Sequence, residues 1–567
     1  PRQPHASFEG QFALGLKRYN TREAGAFFSD RFDPADPDST DGPVGYTLAV
    51  GHLETDGFLR NSAADRTNIA PSLFLDLPRD GRLQLSLHVQ KGHFETPVTN
   101  DPDSPDFRGG YPEAAGHMLV GPGVRPSPQT LTAFETAGLA GVVYGDESGY
   151  EKERFAWDLV LEQPAFGVDW TLNLFLDTED RTDTYYARAD AGDTQRGDLI
   201  LEKTAPPNRS WGGELSGRRA LRDHEFTFGV QTRITGYDGL VYDDTDTEYL
   251  IAPPSGTEEP DERDALRRLS AFVADRYAVR PDLDLVLGLR LDDYRAETTD
   301  TPETTFRKWS PRAGVLYRPA EGVETHLLYA RTVTFPILPK HYWYYNGLQP
   351  GMAGYDFERE DLTYEDTDQF ECGLRWENLP DTVVTLDAYW YRTENYLRWI
   401  FGYPRSRVVY NLDCVDVRGV ELSVKRQLTR TLSGTLAWTI QDEKIEGSIL
   451  ADESMEDLGF PDHQVHLGLR YEPTDRWTAR ADMTFVDTRH EALGPLATGA
   501  AGRPSDDAME VAELDSFLRV DLSVRCDVTE HARVTVGCEN VFDEQYQETF
   551  GFPMPGRMAY GQVEYRF

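Results

Sequence analysis

Strict alternation of apolar and polar residues is the feature that most constrains this chain. In the segment 282–292, five leucines occupy the odd positions, and Asp284, Arg290 and Asp292 are among the residues at the even ones. Successive side chains of a β-strand point to opposite faces, so a period of two predicts a strand with one apolar face. Similar runs occur at 82–91, 476–485 and 517–526. Each is about nine residues or longer, which lets a tilted strand cross a bilayer.

Charges on the polar face favour a membrane barrel over a soluble β-sandwich, which also alternates. In 82–91 we expect the leucines to face lipid and the polar residues to face a wet lumen, with Leu83, Leu85 and Leu87 on one side and Gln84, Ser86 and His88 on the other. The predicted connections also alternate between short and long, such as 77–82 followed by about 96–149. Short periplasmic turns and long extracellular loops are typical of outer-membrane barrels.

Counting the predicted hairpins gives an all-β fold, a 22-stranded antiparallel transmembrane β-barrel that forms one domain over residues 1–567. The predicted strands are 7–18, 19–32, 44–56, 65–78, 82–96, 150–164, 168–182, 208–220, 223–240, 263–279, 283–297, 304–318, 322–334, 362–377, 381–397, 405–427, 430–443, 462–473, 476–488, 512–528, 532–545 and 555–567. The acidic insert 33–42 interrupts the pattern, because it falls where a short turn is expected.

Composition and charge exclude several other classes of protein. No run of 18 apolar residues occurs, which excludes a helical membrane protein. The net charge of −40 argues against a nucleic-acid partner. It fits a cation-rich outer surface, a saline habitat or metal-bound loops. Four cysteines are too few for a disulfide scaffold. Cys526 and Cys538 share the apolar face of one predicted hairpin, as cross-strand neighbours or as separate small hydrophobic residues.

Several segments resemble one family of outer-membrane proteins. The C-terminal residues 558–567, MAYGQVEYRF, resemble the signal by which outer-membrane barrels are recognised for assembly. The segments ENVFDEQYQ (539–547) and FPMPGR (552–557) resemble the last strands of TonB-dependent receptors. Further segments resemble signatures of siderophore receptors in the family's order, at 54–61, 65–78, 308–319, 327–336, 411–425 and 460–473.

The resemblance implies a receptor in the outer membrane of a Gram-negative bacterium rather than an enzyme. Such a receptor imports a ferric siderophore or similar metal chelate, contacts lipid and lipopolysaccharide, and is driven by the TonB complex. Residues 1–20 resemble the segment that follows the family's plug domain. We therefore expect the plug and TonB box to be absent from this chain, with TonB acting through the plug. The alternatives are a plugless or separately plugged conduit or scaffold, or a haem or cobalamin receptor.

Two aromatic-rich segments at predicted extracellular ends are candidates for binding the chelate. The candidate residues are His341, Tyr342, Trp343, Tyr344, Tyr345, Arg398, Trp399, Phe401, Tyr403 and Arg405. Aromatic rings offer a large contact area with few rotors to freeze, and arginines pair with anionic chelates. The alternative is an interfacial aromatic belt or packing between loops. His341 would suit a haem receptor, but its flanking sequence departs from the haem pattern.

The acidic stretch 237–248 is a candidate calcium site. Its carboxylates include Asp238, Asp243, Asp244 and Asp246, and Ca²⁺ takes oxygen ligands. The stretch lacks the spacing of an EF-hand, so a solvated acidic loop is the alternative. No intrinsic cofactor is expected, since the ferric chelate would be cargo.

Overall fold

The computed structural model describes residues 8–33, 42–59, 61–95, 147–188, 196–237, 241–245, 264–297, 304–336, 363–402, 406–446, 459–495, 509–549 and 552–567. The described chain is almost entirely β-strand, in agreement with the alternation in the sequence. The strands are β1 (Glu9–Lys17), β2 (Thr21–Phe32), β3 (Val44–Thr55), β4 (Ala64–Leu77), β5 (Gly81–Glu95), β6 (Gly149–Ala165), β7 (Val168–Arg188), β8 (Arg196–Leu221), β9 (His224–Tyr237), β10 (Val241–Thr245), β11 (Asp264–Arg280), β12 (Leu283–Glu297), β13 (Thr304–Ala320), β14 (Val323–Thr334), β15 (Glu365–Leu379), β16 (Thr382–Gly402), β17 (Ser406–Gln427), β18 (Leu432–Glu446), β19 (His463–Thr474), β20 (Trp477–Val486), β21 (Arg489–Pro495), β22 (Met509–Leu514), β23 (Phe517–Asp527), β24 (Ala532–Glu539), β25 (Gln547–Thr549), β26 (Phe552–Pro553) and β27 (Met558–Arg566).

Antiparallel pairing between successive strands closes the chain into a barrel. The ring is completed where β1 pairs with β27 and Phe12 lies opposite Tyr565. Within the described residues, β10 pairs with β8 beyond the end of β9 and so lengthens that hairpin. The pairs β21–β22 and β25–β26 form separate ribbons outside the wall. The wall itself therefore has the 22 strands that the sequence predicts.

The two ends of the barrel differ in their connections. At one end, called here the turn end, short connections such as 166–167, 222–223 and 281–282 join the strands. Phe166 and Gly167 have φ values of 55° and 72°, and two positive values are the mark of a type I′ turn, whose twist matches that of the strands. The opposite end, called the loop end, carries the long connections. The insert 33–42 lies at the turn end, and 34–41 falls outside the described residues.

The apolar face of the wall is its exposed face. Leu287 is 59% exposed, whereas Asp284 and Asp292 at even positions of the same strand are 5% and 2% exposed. A water-soluble protein has the opposite arrangement, so the leucines face lipid and the charges line the lumen. The predicted faces of 82–91 agree: Leu85 lies opposite Leu73, which is 50% exposed. Polar-face Ser86 accepts a hydrogen bond from Ser72.

Two belts of exposed aromatic residues bound the apolar face. Trp309 and Trp390, 56% and 41% exposed, lie towards the loop end. Trp376 and Trp477, 39% and 47% exposed, lie near the turn end. Amphipathic rings collect where a membrane meets water, so these belts locate the two interfaces. Among the described residues, no helix is long and apolar enough to cross a membrane.

Some predicted strand boundaries were wrong. Strands β7 and β8 extend further towards the loop end than the predicted 168–182 and 208–220. Of the two alternatives for Cys526 and Cys538, the structure agrees with separate residues, because Cys526 lies opposite Val534 and both cysteines are free. The two cysteines share a face but occupy different rungs of the ladder, because the short turn between β23 and β24 fixes the register.

Candidate functional site

The second group of predicted binding residues lies on the long hairpin of β16 and β17. Arg398 pairs with Tyr410 and Trp399 with Val409, so the ladder continues through the predicted tip. From the belt residue Trp390 to the end of β16 at Gly402 is roughly 40 Å of strand. The backbone at Arg398, Trp399 and Phe401 therefore stands beyond the apolar band. Their side chains, and all of Tyr403 and Arg405, lie outside the described part of the chain.

The first predicted group, His341, Tyr342, Trp343, Tyr344 and Tyr345, falls in 337–362, which is outside the described residues. Both ends of that segment are described. At its start, the ring of Phe335 stacks on Tyr294 of β12 with centroids 4.6 Å apart. The Tyr294 hydroxyl also donates a hydrogen bond to the carbonyl of Pro336. Phe335 and Pro336, the last described residues before the segment, are therefore fixed on the lumen face of the wall.

The described residues that follow the same segment are fixed to the β16–β17 hairpin. The Asn411 side chain accepts a hydrogen bond from the Thr363 backbone at 2.8 Å and donates to the Thr363 carbonyl at 3.1 Å. It also donates to the carbonyl of Asn395 at 2.6 Å. The Leu397 backbone donates to Glu365 at 2.7 Å. The structure thus brings the base of one predicted binding segment against the hairpin that carries the other.

Aromatic and cationic side chains outside the predicted binding segments surround this junction. Phe306 packs edge-on against Tyr364 with centroids 5.4 Å apart, and Lys308 lies 3.7 Å from the Tyr364 ring centroid. Arg268 lies 5.6 Å from the Phe335 ring. Tyr294 and Phe306 occupy even positions of their strands, where the alternation otherwise places polar residues. An aromatic residue on the polar face near a loop was the signal that could have identified them.

A network of charged side chains lies next to the junction on the lumen face of β11 and β12. Asp292, 2% exposed, accepts hydrogen bonds from Arg268 at 2.9 Å and from Arg290 at 3.1 Å. Arg290 also donates to Gln231 at 2.8 Å. Because the buried Asp292 carboxylate is hydrogen-bonded to both arginines, it holds their guanidinium groups in place on the lumen wall. Fixed cations beside aromatic rings can recognise an anionic, ring-containing ligand.

A third element approaches the same hairpin. The ribbon strand β21 lies beside β16. Near its base, Phe517 and Tyr546 stack with centroids 4.1 Å apart, and both are buried with Val486 and Met554 packed around them. Burial raises the pKa of the Tyr546 phenol, although a hydrogen bond from Arg519 opposes that rise. The phenol therefore stays neutral, and the cluster ties two loop-end connections to the wall.

Replacing Tyr294 should loosen the anchored start of the 337–362 segment. Tyr294→Ala removes both the stack on Phe335 and the hydrogen bond to Pro336, and aromatic pairs of this kind contribute about 0.5–1.5 kcal/mol. We expect faster amide hydrogen exchange at 333–335, read by mass spectrometry. Tyr294→Phe keeps the stack and should give an intermediate rate. Equal exchange in all three proteins would contradict the anchoring role.

The structure describes the backbone of only two residues of the predicted calcium site. Asp243 and Asp244 belong to β10, which pairs with β8, but their side chains are outside the described residues. Asp238 and Asp246 lie entirely outside the described residues. The calcium site stays a prediction.

The closed barrel, with its apolar face towards lipid, matches a known family. The family model described as "TonB dependent receptor-like, beta-barrel" matches residues 89–541, most of the chain. The chain belongs to this family. As a TonB-dependent receptor barrel it resides in the bacterial outer membrane, with the turn end towards the periplasm and the loop end outside the cell.

Curated relatives within the family are distant. The chain is 22% identical over 356 residues to the ferripyoverdine receptor of Pseudomonas aeruginosa, in an alignment that covers 58% of this chain and 40% of that receptor. It is 22% identical over 304 residues to the probable TonB-dependent siderophore receptor PiuA of Acinetobacter baumannii, covering 51% of this chain and 38% of PiuA. The alignments thus span less than half the length of either relative.

Solved structures of TonB-dependent receptors share the fold. The ferripyoverdine receptor of Pseudomonas aeruginosa bound to ferripyoverdine superposes with a TM-score of 0.70 at 16% identity, covering 100% of this chain and 72% of that one. The ferric-catecholate import receptor Fiu of E. coli K12 gives a TM-score of 0.70 at 16% identity, covering 100% and 82%. At this level of identity the likeness concerns the fold.

Proposed function

We propose that this barrel belongs to an active importer of a ferric siderophore or a similar metal chelate. The observation that supports this most is the junction at the loop end. There Thr363, which directly follows segment 337–362, is hydrogen-bonded to Asn411 of the β16–β17 hairpin, and Asn411 also binds the carbonyl of Asn395. Relatives named as receptors for ferripyoverdine and other siderophores agree with this proposal.

The chemistry of the junction suits an iron chelate. Rings such as Tyr294, Phe306 and Tyr364 line it on the lumen side, and Lys308 and Arg268 supply positive charge within reach of those rings. Aromatic faces offer contact area at a low entropic cost, while cations bind the ligand's oxygen atoms. The net charge of −40 repels multiply charged anions, so a chelate of low net charge is the cargo class that fits best.

The proposed partners follow from the same geometry. TonB would act through a plug domain, since the barrel wall holds the cargo path but not the coupling machinery. Outside the membrane band, outward-facing ion pairs such as Arg331 with Asp366 and Arg392 with Asp416 lie above the aromatic belt. Charged groups at that height meet the headgroups of lipopolysaccharide and lipid.

Replacing the predicted contact residues should weaken cargo binding but not assembly. In the full-length receptor, Tyr342, Trp343, Arg398 and Trp399 are changed together to Ala. Each true stacking or charge-assisted contact should cost on the order of 1–3 kcal/mol, so the affinity should fall at least tenfold. Binding of the ferric chelate is measured by fluorescence quenching or calorimetry, and assembly by heat-resistant mobility on gels.

A control variant tests whether general charge loss explains the effect. Arg430→Ala and Arg476→Ala remove two positive charges from exposed turns at the opposite end, and binding should not change. If the quadruple variant binds cargo as tightly as the wild type, the site assignment is wrong. The determinants would then lie in the plug or in loop 96–149.

A further inference from the structure

Three adjacent strands bring one imidazole and two carboxylates together on the lumen wall. His326 of β14 lies 2.9 Å from Glu371 of β15, measured from Nε2 to Oε1. The same nitrogen lies 3.9 Å from Oδ1 of Asp387 on β16. All three side chains are half-buried, and their three potential ligand atoms lie within 4.8 Å of one another. This cluster is far along the wall from the loop-end junction, near the turn end.

A glycine on the middle strand makes this approach possible. His326 and Asp387 both lie opposite Gly373 in the register of the sheet. A Cβ atom at Gly373 would come within 2.1 Å of the Asp387 carboxylate and 2.2 Å of His326 Cε1. Any larger residue would therefore push the two side chains apart. Because Gly373 has no side chain, those of His326 and Asp387 can approach each other above its backbone.

The surroundings add negative rather than positive charge. Glu421 of β17 lies opposite Asp387, so a third carboxylate stands next in the row. Arg375, the nearby cation on β15, is hydrogen-bonded to Glu377 instead. On the other side β13 contributes Leu316, opposite His326. Tyr389 of β16 lies opposite Glu371, and its hydroxyl donates to Gln441 of β18. Two carboxylates facing one imidazole thus lack a full counter-charge in the described wall.

We propose that His326, Glu371 and Asp387 bind a divalent first-row transition-metal ion, with Zn²⁺ as the representative. Imidazole nitrogen with carboxylate oxygen is a ligand set for such ions, which lie about 2.0–2.2 Å from each donor. Tetrahedral ligands at those distances are about 3.4 Å apart. The observed separations of 2.9 and 3.9 Å bracket that value, so small side-chain movements suffice. The remaining coordination positions face the lumen, where water completes the shell.

The proposal is independent of the cargo, because the cluster and the loop-end junction share no residue. It differs from a purely structural hydrogen bond between imidazole and carboxylate, which would brace the wall without binding a metal. The chain offers a matched comparison: His466 and Asp482 also face the lumen 3.6 Å apart, beside Gly468. That pair has two donors rather than three, and two donors hold such an ion weakly.

Zinc titration of the purified, tag-free full-length receptor tests the site. After treatment with a chelator, calorimetry with Zn²⁺ should show one saturable site that His326→Gln and Asp387→Asn each weaken at least about tenfold. His466→Gln should leave binding unchanged. Gly373→Ala should weaken binding while all three ligands remain. Co²⁺ added in place of Zn²⁺ should give visible absorption bands that are lost in His326→Gln.

Heat-resistant mobility on gels must first show that the variants are folded. Each outcome of the titration then supports or overturns the metal site. Loss of the site in His326→Gln and Asp387→Asn, with His466→Gln unaffected, supports the proposal. The absence of a saturable site in the wild type overturns it. So does a site that both substitutions leave intact. Cargo affinity should be equal in wild type and His326→Gln, so a failure here is distinct from a failure of the proposed import function.

Discussion

Leu327→Arg should destabilise the folded barrel by about 2–4 kcal/mol, the cost of placing a basic side chain against lipid near the bilayer midplane. Leu327 is 58% exposed on the outward face. It lies between the turn-end belt, where Val323 pairs with Trp376, and the loop-end belt, where Tyr329 pairs with Phe370. An arginine there replaces an apolar side chain in contact with the acyl chains by a charged one. The free energy of unfolding is measured by urea titration in phospholipid vesicles.

The adjacent residue provides the control. Leu328→Arg makes the same change one position along, where the side chain faces the lumen opposite Glu371. Water and a carboxylate receive the charge there, so stability should change by no more than about 0.5 kcal/mol. Two variants of equal stability would mean that the wall does not separate a lipid face from a wet face. A larger loss for Leu328→Arg would mean that the faces are reversed.

The fold could be predicted because, in a membrane barrel, a short segment of sequence is enough to determine each strand and its two faces. The odd leucines of 283–291 fix a strand, its faces and its approximate ends without any knowledge of its partners. Short turns then fix the order of the strands, because each joins neighbours. The short strands β10 and β21 were missed, and the end of β22 was joined to β23 in the predicted strand 512–528, since these short strands carry no long alternation.

The sites were harder to predict because they depend on register and on loops. Gly373 became informative only when pairing placed it between His326 and Asp387, which are 61 residues apart in the chain. In the same way, Asn411 could be recognised as an anchor only once Thr363 was beside it. Composition identified the aromatic segment 341–345 as a candidate, but composition does not say where a loop returns to the wall.

The 567-residue chain reconstituted alone is expected to form a wide, cation-preferring pore. Barrel diameter grows with strand number, and a wall of 22 strands encloses more space than its own side chains can fill. Cation preference follows from the net charge of −40 and from lumen carboxylates such as Glu371, Asp387 and Glu421. Planar-bilayer recordings should therefore give a conductance well above that of a TonB-dependent receptor whose barrel is filled by a plug domain.

Measurements at different ionic strengths distinguish the width of the pore from its preference for cations. In a gradient of low salt, the zero-current potential should have the sign of cation selectivity, and it should shrink near 1 M salt, where the Debye length falls to about 3 Å. The conductance itself should persist, because it depends on width rather than charge. A conductance equal to that of the plugged receptor would mean that loop segments fill the lumen. Anion preference would mean that the arginines of the wall, and not its carboxylates, control the field inside.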